Sequence, residues 1–180
     1  VRLRVIAGVL GSRLFDAPNG FVTHPMGDRV RSALFNSLGD IQDFEVLDAF
    51  AGSGAMSFEC VSRGAKSTIA VERDRRAQKV IEKNITDLDL HDKVKLIKAP
   101  VKAWSEQNKR KLFDLIICDP PYNDLQLSTV SLLTRHLKNN GLMVLSYPGR
   151  ESAPIVNGVV VVDKSLYGEA ALAYYRKSTQ

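Results

Sequence analysis

Leu112-Phe113-Asp114-Leu115-Ile116-Ile117-Cys118-Asp119-Pro120-Pro121-Tyr122 is the stretch on which the reading of this chain turns. From Leu112 to Cys118 the run is apolar enough for a strand buried on both faces, as strands of parallel sheets are. It stops abruptly on Asp-Pro-Pro-Tyr, which puts Asp119 at the carboxyl end of the strand, where open α/β sheets bind their ligands. Each proline fixes its own φ and lacks an N–H, and Pro121 also holds Pro120 out of the helical region. Such a stiff turn presents a carboxylate, a free carbonyl and an aromatic ring side by side. That trio suits a planar base with an exocyclic amine: Asp119 and the Pro120 carbonyl accept the amine hydrogens, and Tyr122 stacks on the ring. The same four residues also occur as a plain surface turn, so the strand before them and a second motif upstream decide the matter.

That second motif is Phe44-Glu45-Val46-Leu47-Asp48-Ala49-Phe50-Ala51-Gly52-Ser53-Gly54-Ala55-Met56. It predicts a strand, a glycine turn and a helix stopped by Gly64. Gly52 and Gly54 let the backbone turn tightly and approach a ligand, with helix N–H groups behind. A dinucleotide fingerprint needs Gly or Ala where Ser57 stands, and a phosphate-binding loop needs Gly-Lys-Ser/Thr; neither pattern is met. Asp48, just before the glycines, is an awkward neighbour for a pyrophosphate and a good one for a cationic ligand. Ser67 to Val71 is the next strand, and it ends on Glu72, some 20 residues past the turn, where such folds bind a ribose diol.

The rest of the chain supplies the frame. Its 180 residues, 44% hydrophobic and 25% charged, are enough for one domain with a substantial core. The net charge of +5 favours an anionic partner without requiring one. Cys60 and Cys118 each lie in an apolar stretch, which predicts buried thiols in a reducing compartment. No apolar run is as long as a membrane span and no signal-peptide pattern opens the chain, so the expected location is cytoplasmic. His24, His91 and His136 are scattered without ligand spacing, and no metal site is predicted.

Residues 1–23 read as a β-hairpin appendage, with Gly8 and Gly11 at its turn. Up to Phe35 the basic residues are all arginine, and arginine's planar fork suits phosphates and bases. Arg4, Arg13, Arg29 and Arg31 are therefore the candidate contacts to phosphates and bases, a solvated surface hairpin being the plainer alternative. A helix is expected over 28–38, after Pro25 and Gly27, capped by Asp28 and with Val30, Leu34 and Leu38 on one face and Arg29 and Arg31 outward. Further on, a helix capped by Asp74, a strand at Val94–Ile97 and a helix opened by Pro100 with Trp104 in the core are expected. Then come a helix over 125–137 closed by Asn139-Asn140-Gly141, a strand at Leu142–Tyr147, and an antiparallel hairpin of strands 155–162 and 170–175 joined through Tyr167-Gly168.

Asp48-x-Phe50-Ala51-Gly52-Ser53-Gly54, Glu72 and Asp119-Pro120-Pro121-Tyr122, in that order, resemble class I S-adenosylmethionine-dependent methyltransferases that act on exocyclic amines. More narrowly, Arg4-Val5-Ile6-Ala7-Gly8, Asp28-Arg29-Val30-Arg31-x-Ala33-Leu34-Phe35-Asn36 and Tyr174-Tyr175-Arg176 resemble the bacterial 16S ribosomal RNA guanine-N2 methyltransferase family (RsmD type), nearly end to end. The resemblance implies an α/β class I methyltransferase (Rossmann-like) fold: a mostly parallel sheet with helices on both faces, a C-terminal antiparallel hairpin and an N-terminal β-hairpin extension. It divides the chain into an RNA-contacting extension, 1–23, and a methyltransferase domain, 24–180. It implies S-adenosyl-L-methionine as cofactor, held by Asp48, Phe50, Ala51, Gly52, Ser53, Gly54, Glu72, Arg73 and Ala99, with Asp119, Pro120, Pro121 and Tyr122 catalytic. The implied partner is ribosomal RNA or a small-subunit assembly particle, met by a monomer.

Two departures from the family pattern are visible. Lys98 precedes Ala99 where the family has Asp or Asn to contact the cofactor adenine, and 149–156 is short for the last helix of the fold. Other readings stay open: the same chemistry on adenine or cytosine of another RNA or DNA, a nicotinamide dehydrogenase (disfavoured for want of a third glycine), and a non-catalytic RNA-binding ribosome-assembly factor.

Overall fold

The computed structural model describes residues 2–19 and 26–178. The expected boundary between residues 23 and 24, together with His24 and Pro25, lies outside the described residues. Strands β1 (Arg2–Arg4) and β2 (Leu14–Asp16) form an antiparallel hairpin, Arg4 pairing with Leu14. There follow α1 (Asp28–Leu38), β3 (Glu45–Asp48), α2 (Ala55–Ser62), β4 (Ser67–Glu72), α3 (Arg75–Asp87) and β5 (Val94–Lys98). Then come α4 (Val101–Gln107), β6 (Phe113–Cys118), α5 (Leu127–Leu133), β7 (Leu137–Pro148), β8 (Val159–Tyr167) and β9 (Ala170–Lys177).

Strands β3 to β9 make one seven-stranded sheet in the order β5-β4-β3-β6-β7-β9-β8. The first five strands in that order are parallel, and β9 and β8 are antiparallel additions. The chain moves outward from β3 to β5, then returns to lay β6 on the other side of β3. That reversal is the topological switch point, and the crevice above it is where open α/β sheets take ligands. Both motifs singled out in the sequence sit there, the glycine turn after β3 and Asp-Pro-Pro-Tyr after β6.

β6 is buried on both faces. Phe113, Ile116 and Cys118 join one core cluster with Leu47, Trp104 and Tyr175, while Leu115 and Ile117 join another with Leu34, Phe35 and Val46. All five of these β6 residues are at most 1% exposed, and each fully buried aliphatic side chain contributes roughly 1.5–3 kcal/mol. A third cluster unites the N-terminal hairpin with the domain, because Val5 and Phe15 pack among Phe58, Ile81 and Ile85. Phe15 meets Phe58 edge-on, with ring centroids 5.2 Å apart.

Three elements differ from expectation. Asp28 does not cap α1: the N-cap is Gly27, without a side-chain cap bond, and Asp28 lies in the first turn. Its carboxylate is drawn away by two arginines, accepting from Arg4 Nε at 2.9 Å and Arg31 Nη2 at 3.0 Å.

The helix expected to reach residue 137 ends at Leu133 and tightens into a 3₁₀ turn at Thr134–His136. Buried His136 stops it, bonded through Nδ1 to the Lys111 carbonyl and through Nε2 to Ser105 Oγ, both at 2.7 Å. Leu137 then already pairs with Phe113, so Asn139, Asn140 and Gly141 fall inside β7, at an irregularity where the partner of β6 jumps from Leu137 to Leu142.

The first strand of the last hairpin begins at Val159 rather than at residue 155, and it runs on to Tyr167. Gly158 at φ 92° breaks the extended backbone before it, and Ile155 stands 91% exposed. The described chain forms no helix between β7 and β8.

Candidate active site

A cleft of about 1280 Å³ opens along the carboxyl ends of the parallel strands. The glycine turn forms its floor. The Ala49 N–H donates to the Ile117 carbonyl and the Ala51 N–H to the Val71 carbonyl, so the turn is tied to strands on both sides of β3.

Gly52 and Gly54 have positive φ for different reasons. A Cβ on Gly52, at φ 57°, would meet nothing within 4 Å, leaving bare backbone toward the cleft. A Cβ on Gly54, at φ 86°, would lie 2.7 Å from the Phe58 ring, so that glycine serves the packing of α2. Gly54 is not part of the cleft wall, whereas Phe50, Ala51, Gly52 and Ser53 are.

Asp48 is not on the wall either. It is 1% exposed beneath the turn, where Ser57 Oγ donates to its Oδ2 at 2.7 Å and Oδ1 has no partner. Burial is the main cause that pushes its carboxyl up to about 7, with the charges of Asp119 and Glu72 adding to it. The expectation that Asp48 faces a cationic ligand is thereby corrected: its side chain supports the turn from below. Ser57, which disqualified the dinucleotide fingerprint, is the residue that holds it.

Glu72 does reach the cleft. Its Oε1 accepts from the Gly52 N–H at 2.8 Å and its Oε2 from the Asp74 N–H at 2.7 Å. Burial raises its pKa. An ionised carboxylate has about four lone-pair sites, so two bonds to backbone leave capacity for a diol. Arg73 is exposed at the rim, and Ala99 lies on the wall with Pro100 and Val101. Lys98 turns away, pairing with Glu82 at 2.5 Å.

Asp119, Pro120, Pro121 and Tyr122 line the opposite end of the same cleft. Burial pushes the Asp119 carboxyl up to about 6, with the nearby Ser146 hydroxyl acting in the opposite direction. Tyr122 is 38% exposed, and its hydroxyl lies 2.6 Å from Ser146 Oγ. Ser146 carries no sequence signal, standing 24 residues from Tyr122 in an ordinary strand.

The arginines divide. Arg4, Arg13 and Arg29 are exposed; Arg4 pairs with Asp28, and Arg13 Nη2 reaches the Asp87 carbonyl at 3.2 Å. Arg31 is fully buried, which overturns the expectation of an outward, RNA-contacting side chain. Its Nη2 donates to the Arg4 carbonyl at 2.6 Å, and its Nε stands 3.9 Å from Glu59 Oε1. Residue 31 is three and four positions before Leu34 and Phe35, so helical spacing places it on the buried stripe.

Glu59 is the larger omission from the sequence reading. It is fully buried and accepts from the Ile6 N–H at 2.8 Å, the Ala7 N–H at 3.1 Å and Arg63 Nε at 2.8 Å. Ser62 Oγ donates to the Ala7 carbonyl and accepts from the Leu10 N–H. One charged residue in a helix whose every position is buried was the available signal.

This sheet order, with a glycine turn and an Asp-Pro-Pro-Tyr turn facing each other across its switch point, defines a class I methyltransferase fold. The solved structure of yhhF from Escherichia coli superposes on it with a TM-score of 0.88, at 28% identity and covering 100% of both chains. The chain belongs to the family described as Conserved hypothetical protein 95, matched over residues 3–176, which is the RsmD type of bacterial methyltransferase. Several relatives are named ribosomal RNA small subunit methyltransferase D. The one from Haemophilus influenzae is 33% identical over 78% of this chain and 76% of its own. The one from Escherichia coli (strain K12) is 28% identical over 99% and 92%.

Proposed function

We propose that this protein transfers a methyl group from S-adenosyl-L-methionine to the exocyclic N2 amine of a guanine in 16S ribosomal RNA. Family membership and the names of the relatives support methyl transfer to ribosomal RNA. The observation that carries the amine is that Asp119, Pro120 and Tyr122 share one cleft with Gly52 and Glu72. Guanine, rather than adenine or cytosine, rests on the N-terminal and C-terminal family signatures. The protein works in the cytoplasm as a monomer on ribosomal RNA or an assembling small subunit, with residues 1–23 an RNA-contacting extension of a 24–180 domain.

The cleft fits the cofactor by its own features. Bare backbone at Gly52 leaves room for the methionine portion, and Glu72 retains acceptor capacity for the ribose hydroxyls. Phe50, Ala51 and Ser53 complete that floor, and Arg73 stands at its rim. With Lys98 turned to Glu82, backbone groups around Ala99 and Val101 read the adenine. Bound there, S-adenosyl-L-methionine supplies an electrophilic methyl on a sulfonium. Asp119 and the Pro120 carbonyl accept the two amine hydrogens and so localise the nitrogen lone pair, which the planar base otherwise draws into its ring. Tyr122 stacks on a base removed from its neighbours. As the N–C bond formed, the methyl–sulfur bond would break, with the neutral thioether leaving, and the amine proton would pass to the Asp119 carboxylate, whose raised pKa suits it as acceptor.

Calorimetry is expected to show binding of S-adenosyl-L-methionine or its demethylated product at micromolar levels. Glu72→Gln should weaken it by ~10-fold or more, about 1.4 kcal/mol. A folded protein that binds neither compound ends the assignment. Tritium transfer to small-subunit RNA, followed by mass spectrometry of the nucleosides, tests the product: methylated adenosine or cytidine would replace the guanine reading.

The exposed arginines are expected to hold phosphates. Replacing Arg4 and Arg13 together with Ala should flatten the salt dependence of RNA binding, by roughly 0.7–0.9 in slope for each phosphate no longer held. Cofactor affinity should stay in place. An unchanged slope would mean that the hairpin is structural only.

A further inference from the structure

We propose that Gln126 is the residue that selects guanine at this site, its side-chain amide reading the ring N1–H and the O6 carbonyl beside the amine that receives the methyl group. The inference rests on the methyl-transfer reading and deepens it, because it draws the choice of base from this chain's own cleft.

The chain leaving the Asp-Pro-Pro-Tyr turn folds back on itself. The Asp124 N–H donates to the Pro121 carbonyl at 3.0 Å, and the Gln126 N–H donates to Asp124 Oδ1 at 3.3 Å. The Gln126 carbonyl then accepts from the N–H of fully buried Val130 at 2.9 Å. Gln126 is thereby returned to the cleft, which it lines together with Asp119, Pro120 and Tyr122. Thr129, three residues further on in α5, lines the same cleft.

Two features set Gln126 apart. Its backbone is left-handed, at φ 51°. The other described non-glycine residues with positive φ are Ser12, Asp43 and Asp89, whose short polar side chains suit that region better than a long one. Residues held in such sparsely populated conformations cluster where a side chain has to be aimed at a ligand. The second feature is its amide. Gln126 is half-buried, yet among the described residues only its backbone is hydrogen-bonded, and the side chain has no partner. The amide of neighbouring Asn123 sits on an exposed residue, where water can serve it.

An amide presents one acceptor and one donor side by side. With its N2 amine on Asp119 and the Pro120 carbonyl, guanine next presents N1–H and then O6, a donor and an acceptor that satisfy both halves. Adenine held by N6 presents the N1 lone pair and then a C–H. Cytosine held by N4 presents N3 and then O2, two acceptors. Either base leaves half of the Gln126 amide unpaired, and an unpaired polar group in a closed site opposes binding.

The test substitutes atoms on both sides of the contact. Once the methylated guanine is mapped, small-subunit RNA is joined from two pieces so that 2-aminopurine replaces it, and is offered naked and in reconstituted subunits. 2-Aminopurine keeps the target amine but lacks N1–H and O6. Wild type should prefer guanine in kcat/KM by ~10-fold or more, the scale of a two-bond base contact. Gln126→Ala should lose most of that preference by slowing on guanine alone. Gln126→Gly removes the amide and the backbone strain together, so it should lose the preference while melting at or above the wild-type temperature. A merely structural role would slow both substrates alike and leave their ratio in place.

An unchanged ratio in these variants, with wild type methylating guanine, overturns the Gln126 assignment and leaves the methyltransferase reading standing. Should Gln126→Ala fail to fold, Gln126→Gly decides alone by the same ratio. A wild type that methylates adenosine or cytidine, or nothing, overturns the guanine reading and the assignment with it.

Discussion

Asp119→Ala is expected to leave a folded protein that still binds S-adenosyl-L-methionine but transfers methyl groups at least ~10²-fold more slowly, the scale of a missing transition-state interaction. The Asp119 side chain lies at the cleft wall, and Ser146 is the one group that lowers its pKa. Among the described residues no hydrogen-bonded partner is left behind when the carboxylate is removed, and Ser146 Oγ keeps the Tyr122 hydroxyl, so the change should cost little stability. Chemistry loses both an acceptor for the amine and a destination for its proton. Asp119→Asn should be nearly as slow, because the amide keeps a carbonyl oxygen but does not take up the proton at this pH. Thermal melts and calorimetry beside the rate measurement separate the cases. Near-full activity in Asp119→Ala would reduce the Asp-Pro-Pro-Tyr turn to a structural element.

Glu59→Ala should produce the largest loss of stability, roughly 3–5 kcal/mol, the usual cost of removing one partner of a buried ion pair. The carboxylate is fully buried and serves the Ile6 and Ala7 amides and Arg63 at once, with Arg31 nearby. Its loss leaves two part-buried amides without their acceptor and takes a nearby countercharge from the fully buried Arg31 guanidinium. For a chain of this length that corresponds to a melting point lower by about 10 °C. Hydrogen exchange should quicken first at Ile6 and Ala7. Adding Arg31→Met to Glu59→Ala should recover part of the loss, since an apolar replacement removes the stranded charge. A Glu59→Ala melt within about 1 kcal/mol of wild type would show that the buried carboxylate does not hold the hairpin.

The sheet was legible because its parallel strands are nearly continuous apolar runs with a chemical break at their carboxyl ends. Cys118-Asp119 and Val71-Glu72 mark those ends without any tertiary information. The misjudged elements are those decided by contacts distant in sequence. Arg31 looks outward in a count of charges, yet it is drawn inside by Glu59 and the Arg4 carbonyl, partners 28 and 27 residues away. The helix meant to reach residue 137 stops early because His136 bonds to Ser105 and Lys111. Asp48 and Gly54 belong to the family motif, but the motif does not say which of its members face the ligand and which hold the turn. Burial of Asp48 and the Phe58 ring against Gly54 supply that distinction.

The fastening of the hairpin also bears on how the chain acquires its structure. Its polar anchors are Glu59 and Ser62 on α2 and Asn84 on α3, where Asn84 Oδ1 accepts from the Asp16 N–H at 3.0 Å and Nδ2 donates to the Asp16 carbonyl at 2.8 Å. The hairpin is therefore made before the helices it must wait for. With Asp16 and Asn84 separated by 68 residues, translation at about 5–20 residues per second leaves the hairpin without its last anchor for roughly 3–14 seconds. During that interval Val5 and Phe15 have no core to enter, and a nascent chain halted before α3 is complete should expose them to a holding chaperone.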